Sequence, residues 1–179
     1  TSGLYDQAIL LRDRTIGLDP TYANFYVLLA QIYLDLGEFE KCEALLTKAL
    51  LMEPEDISGL NTHAYLKLQT GKLAEAEKII QKVKTINRES NTTWLESYLA
   101  ALKGDKEKGF AQGGNWRNLL ALDMKKEALD VMEKNVGNQR YLNLKNLKIL
   151  DPFRKDPRFA AILEKTRLVY EERLRKYAN

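Results

Sequence analysis

Residues 22–54 read YANFYVLLAQIYLDLGEFEKCEALLTKALLMEP, and this stretch decides the fold. Apolar side chains at Tyr22, Phe25, Tyr26, Leu29, Ile32, Tyr33 and Leu36 recur every three or four positions, which predicts an amphipathic helix to about Asp35. Gly37, in Gly-Glu-Phe, is free to take the left-handed conformation that ends a helix. A second helix is predicted from about Glu38 to Met52, burying Phe39, Cys42, Leu45, Leu46 and Ala49, until Pro54 stops it. Glu55 and Asp56 then suit the positive end of a third helix dipole.

The stretch recurs at an interval of 34 residues, through Gly3, Gly37 and Gly71. Each glycine has a small residue five places on, at Ala8, Cys42 and Ala76. Pro20 and Pro54 keep the interval, as do Leu18, Met52 and Ile86. The next unit carries Leu60, Ala64 and Leu68 on its first helix and Leu73, Ala76, Ile80 and Val83 on its second. Ala30, Ala64, Cys42 and Ala76 mark predicted close crossings, where a larger side chain would push two helices apart.

Taken together, Tyr26, Leu29, Ala30, Tyr33, Gly37, Cys42, Leu46, Ala49 and Pro54 resemble the tetratricopeptide repeat (TPR) pattern. The likeness is clearest over residues 3–88. It implies an all-α fold, a right-handed superhelical solenoid of antiparallel helix pairs. The expected organisation is a single array: 3–20 as the second helix of a truncated repeat, 22–54 and 56–88 as full repeats, 91–136 as degenerate repeats, and 139–179 as closing helices and cap.

After Asn91 the pattern loosens. Trp94, Tyr98 and Ala101 open a unit in which Asp105 is expected at the glycine place, Phe110 at the small-residue place, and Gly113-Gly114 at a break in the second helix. Leu119, Leu122, Ala128, Leu129, Met132 and Val136 form the next, contracted unit, with Asp123 for the glycine and Trp116 for a small residue. At the end, Asp156 is an N-cap and Pro157 a first helical residue for a helix to about Tyr177, burying Phe159, Ile162, Leu163 and Leu168. The segment from Asp151 to Phe159 resembles the ending of TPR arrays appended to bacterial signalling proteins. The chain therefore reads as the C-terminal part of a longer bacterial protein, and a first helix exposing Ile9 and its neighbours offers an end for self-association.

Composition narrows the chemistry. Apolar residues make up 45% and charged residues 30%, an ordinary balance for a folded chain, and no apolar run is long enough for a membrane span. One cysteine, Cys42, excludes an internal disulfide, and with the single histidine, His63, it leaves few soft metal ligands. A cytoplasmic setting follows as an expectation. No Ser/His/Asp grouping or phosphate-cradling glycine loop is present, so no catalytic residue, cofactor, metal or small-molecule substrate is assigned and the chain is not expected to be an enzyme. His63, Cys42, Trp94 and Trp116 are all assigned to packing.

The TPR likeness implies a protein or peptide partner held on the concave face by the first helix of each repeat. The corresponding positions are Asn24, Val27, Leu28, Gln31 and Asp35; then Ser58, Asn61, Thr62, Tyr65 and Gln69; then Thr92, Leu95, Glu96, Leu99 and Lys103. Gln31, Asn61 and Tyr65 stand out, because an amide hydrogen-bonds an extended backbone in both directions and a tyrosine adds a ring. Some TPR modules clamp chaperone C-termini with lysine, arginine and asparagine. Val27, Gln31, Thr62, Thr92 and Glu96 occupy those places here and do not reproduce the clamp.

The net charge is +3, and residues 151–179 hold 8 Lys/Arg against 5 Asp/Glu while the rest balances. Arg154, Lys155, Arg158, Lys165, Arg167, Arg173, Arg175 and Lys176 give an alternative, nucleic acid bound along the last helix. Glu164, Glu171 and Glu172 interrupt that stripe.

Overall fold

The computed structural model describes residues 3–110, 115–138 and 141–177, and every regular element among them is helical. In chain order these are α1 (Gly3–Leu18), α2 (Ala23–Leu36), α3 (Phe39–Met52), α4 (Ile57–Gln69), α5 (Leu73–Ile86), α6 (Thr93–Leu102), α7 (Lys106–Phe110), α8 (Trp116–Ala121), α9 (Lys125–Lys134), α10 (Tyr141–Asn146) and α11 (Pro157–Tyr177). Short 3-10 turns lie at Val136–Asn138 and Lys148–Phe153. The chain divides into two compact units, one up to Leu95 and one from Glu96.

Four helix-to-helix turns close with the same pair of backbone bonds. Gly37 N–H donates to Leu34 C=O at 3.1 Å and Glu38 N–H to Tyr33 C=O at 2.9 Å. Gly71 and Lys72 repeat this onto Leu68 and Lys67, Gly104 and Asp105 onto Ala101 and Ala100, and Asp123 and Met124 onto Leu120 and Leu119. These bonds satisfy carbonyls the helix end would otherwise orphan, and they require positive φ at the corner. The corner φ is 76° at Gly37, 75° at Gly71, 82° at Gly104 and 58° at Asp123.

The third corner corrects the sequence expectation by one residue. Gly104, not Asp105, takes the left-handed position, because glycine enters that region without a Cβ clash. The small residue five places on is therefore Gly109, which is buried, and Phe110 is 40% exposed. Gly113-Gly114 lies outside the described residues.

In the first unit, Ala30, Leu34, Phe39, Cys42, Leu46 and Leu66 form one apolar cluster, and Ala23, Tyr26, Val27 and Ala49 form another that Ile16 of α1 joins. Asp56 caps α4 by accepting from Gly59 N–H at 2.8 Å and Ser58 N–H at 3.3 Å. On α1, Ile9 is half-buried, and Leu10, Leu11 and Leu18 are exposed.

The second unit packs Trp116, Leu119, Leu120, Ala128, Leu129, Met132, Leu144, Leu147, Leu150, Phe153, Phe159 and Ile162 into one core. A buried polar knot sits at its α6 end. Asn118 donates to Ser97 Oγ at 3.0 Å and to Gly109 C=O at 2.9 Å, and Ser97 Oγ also donates to Gly109 C=O at 3.0 Å. Asp156 caps α11 through Arg158 N–H at 2.8 Å. Leu168, expected in the core, is 49% exposed. The buried stripe of α11 runs Phe159, Ile162, Thr166 at three-and-four spacing, and Leu168 falls two residues off it.

Candidate functional site

The first helices of neighbouring repeats, α2 and α4, meet through the side chains expected to face a partner. Val27 is fully buried against Gly59, where an added Cβ would lie 3.3 Å from its Cγ2. Gln31 Nε2 donates to Thr62 Oγ1 at 3.1 Å, and that hydroxyl donates to Ser58 C=O at 2.8 Å. Val27, Gln31 and Thr62 therefore hold one repeat to the next. Asn24 and Leu28 are half-buried and Ser58 is exposed, so these keep surface to offer.

The one-residue correction at Gly104 moves the third set of positions too. Ten residues before each corner lie Val27, Asn61 and Trp94, and six before lie Gln31, Tyr65 and Tyr98. Leu95, which had been placed on the partner-facing side, is fully buried, and Leu99 is buried in the place that Leu66 takes in the preceding repeat. Glu96, half-buried, aligns with His63 and Leu29, on the side of the helix turned to its own pair. Of the further positions on these helices, Thr92 is buried, Asp35 and Gln69 are half-buried, and Lys103 is exposed.

Trp94, expected to make a core or inter-repeat contact, packs on Tyr65 of the preceding repeat, with ring centroids 5.4 Å apart at an interplanar angle of 60°, and keeps 39% of its surface exposed. One helical turn before Tyr65 on α4 is Asn61, whose Oδ1 is buried with no hydrogen-bond partner. A buried acceptor left unmade costs roughly 1–3 kcal/mol. Asn61, Tyr65 and Trp94 thus bring an unmet hydrogen-bonding group beside two inclined rings. Alignment on the turns, rather than on the tryptophan, is the sequence signal that finds Trp94.

Residues 1–64 match the family model described as tetratricopeptide repeat. Over these residues the chain carries the tetratricopeptide repeat. The same turn geometry recurs beyond the matched residues, at Gly71, Gly104 and Asp123. No curated protein and no solved structure matches the chain. TPR folds in general are non-enzymatic scaffolds that mediate protein–protein interaction.

Away from that face, the TPR pair α4–α5 and helix α3 hold an ionic cluster invisible in the sequence. Lys67 Nζ sits 2.9 Å from Glu43 Oε1 and 2.8 Å from Glu75 Oε2, and His63 Nε2 shares Glu43 Oε1 at 2.9 Å. Burial alone would raise the Glu43 pKa, but hydrogen bonds from Lys67 and His63 outweigh it and hold the carboxyl below its ordinary range. Burial likewise opposes the Lys67 charge, and its bonds to Glu75 and Glu43 reverse the effect and raise its pKa. His63 is therefore engaged structurally, by its hydrogen bond to Glu43. Cys42 is fully buried, and desolvation pushes its thiol up to about 12, which makes it an inert packing residue.

Three arginines of the basic end are engaged with acids. Arg158 binds Asp130 at 2.5 Å and Glu133 at 2.7 Å, Arg167 binds Glu164 at 2.6 Å and also Glu171, and Arg154 binds Asp151 at 3.1 Å. Arg173 donates to Gly137 C=O at 2.6 Å. These pairs offset part of the positive charge that a nucleic acid would meet along the last helix. Among the described residues no His, Cys, Asp and Glu group could hold a metal ion, and no helix is long and apolar enough to cross a membrane.

Proposed function

We propose that this chain is a protein-binding scaffold whose docking surface is the α2–α4 face of the first unit and the start of α6. The partner segment lies along Asn24, Leu28, Ser58 and Asn61 and ends on the Tyr65–Trp94 ring pair. The observation that carries this reading is the Trp94 ring, 39% exposed and seated against half-buried Tyr65 of the preceding repeat. A large aromatic left partly in water on a helix face is the kind of side chain a binding hot spot is built from.

Site-specific photo-crosslinking tests it. A photoreactive residue at exposed Ser58 should yield discrete adducts with partner proteins in cells, and a Tyr65→Ala, Trp94→Ala background should abolish them. The same residue at exposed Glu40 on α3 is the control. Equal adducts at both positions, or adducts indifferent to the two ring deletions, would overturn the assignment.

A further inference from the structure

We infer that Ser97 and Asn118 form a polar latch that ends α7 after 5 residues and holds the shortened helix in place. The latch lies within the second unit and is independent of the docking surface proposed above.

Counted back from the left-handed corners, Ser97 stands where the preceding helix pairs carry Ala30 and Ala64. Asn118 stands where they carry Ile32, Leu66 and Leu99. These are apolar places, yet Ser97 is only 3% exposed and Asn118 only 4%. A hydroxyl or amide shut away from water is destabilising unless it is bonded, so each must have partners that the apolar residues did not need.

Those partners are at the end of α7. Ser97 Oγ lies 3.0 Å from Lys108 C=O and 3.0 Å from Gly109 C=O, and shares its one proton between them. Asn118 Nδ2 carries two protons, and donates to Gly109 C=O at 2.9 Å and to Ser97 Oγ at 3.0 Å.

The helix that receives these bonds is a short one. α3 and α5, the second helices of their pairs, run 14 residues each, and α7 runs 5. A helix leaves its last four carbonyls without a partner of its own, which in α7 is every residue except Lys106. So few intrahelical bonds do not offset the entropy of forming the first turn. At the start of α7, Asp105 accepts from Lys108 N–H at 3.1 Å. At its end, Gly109 C=O accepts two bonds, which fill both lone pairs and leave none for a further helical turn. Gly109 permits the close approach, since a Cβ there would lie 3.1 Å from Ala101 Cβ.

Ser97→Ala and Asn118→Leu put back the apolar residues of the other helix pairs. Nuclear magnetic resonance of the intact 179-residue chain, of both single variants and of the double variant reads α7 directly. The signals are the Cα chemical shifts of Lys106–Phe110 and the hydrogen exchange of the Gly109 and Phe110 amides. Ser97→Ala should speed that exchange about tenfold, roughly the worth of one buried hydrogen bond, and move the shifts toward coil values. Asn118→Leu should act in the same direction. The double variant should lose less than the product of the two factors, because each single change already breaks the bond between the two side chains. Ser97→Ala decides alone if Asn118→Leu does not fold. Unchanged shifts and exchange in Ser97→Ala, or a raised urea midpoint in the double variant, would overturn the latch. Factors that simply multiply in the double variant would also overturn it, since the two residues would then act separately.

Discussion

Replacing Gly109 by alanine puts a methyl group into a close helix crossing of the second unit. Its Cβ would lie 3.1 Å from Ala101 Cβ, 3.2 Å from Ala101 Cα and 3.2 Å from Leu122 Cδ1. Carbon atoms in contact prefer about 3.5–4.0 Å, so α6 and α7 must separate by a few tenths of an ångström, and Ala101 Cα, being backbone, cannot rotate aside. Overpacking of this kind costs about 1–3 kcal/mol. Against it stands the helix-propensity gain of alanine over glycine, roughly 0.5–1 kcal/mol. Separation would also stretch the bonds of Ser97 and Asn118 to Gly109 C=O, now 3.0 and 2.9 Å. The expected net effect is a loss of about 0.5–2 kcal/mol. Gly17 supplies the control, since it is exposed on α1 and an added Cβ meets nothing within 4 Å. Gly17→Ala should therefore gain a few tenths to about 1 kcal/mol. Urea unfolding reads both, with far-UV circular dichroism for the chain and the fluorescence of buried Trp116, in a Trp94→Phe background, for the second unit. If Gly109→Ala stabilises as Gly17→Ala does, or if Phe110→Ala costs more than Gly109→Ala, the register set by Gly104 is wrong.

Asp123 holds φ 58° at its turn, where glycine would be unstrained. Asp123→Gly should thus raise stability by up to about 1 kcal/mol in the same urea assay, and a loss would mean the Asp123 side chain contributes more than its backbone costs. Asn61→Leu removes an orphaned acceptor, so it should leave the melting temperature unchanged or raised while reducing partner binding. A large drop in melting temperature would show that Asn61 is a structural residue. Glu43 and Glu75 are held below their ordinary pKa of 4.5 in the folded chain. Their stabilising contribution is complete above that value and drains as pH falls through the folded pKa, so the urea midpoint should drop in acid. Lys67→Met removes its bonds to both carboxyls and leaves Glu43 only the His63 bond, so its midpoint should fall less steeply between about pH 5 and pH 3, because the folded and unfolded pKa values then lie closer together. Parallel pH curves for the two proteins would remove the cluster as the cause.

The amino-acid sequence by itself determined the helices, their pairing and three of the four turns. Each depends on residues close in the chain: an apolar stripe at three-and-four spacing, a left-handed corner at Gly37, Gly71 or Asp123, and a side-chain cap at Asp56 or Asp156. It also placed Asn61, Tyr65 and Ser58 on the candidate face. What it could not decide were outcomes of distance between helices. Gly104 and Asp105 are adjacent candidates for one corner, and only closure of two backbone bonds onto Ala101 and Ala100 chooses between them. That choice turns α6 by one residue, about 100° around its axis. Leu95 goes into the core and Trp94 out beside Tyr65. Val27 likewise looked available until Gly59 on the next repeat gave it a place to pack. Lys67, His63, Glu43 and Glu75 carry no local pattern, because ion pairs form wherever the folded helices bring opposite charges within reach, and a periodicity of 3.6 says nothing about the neighbouring helix.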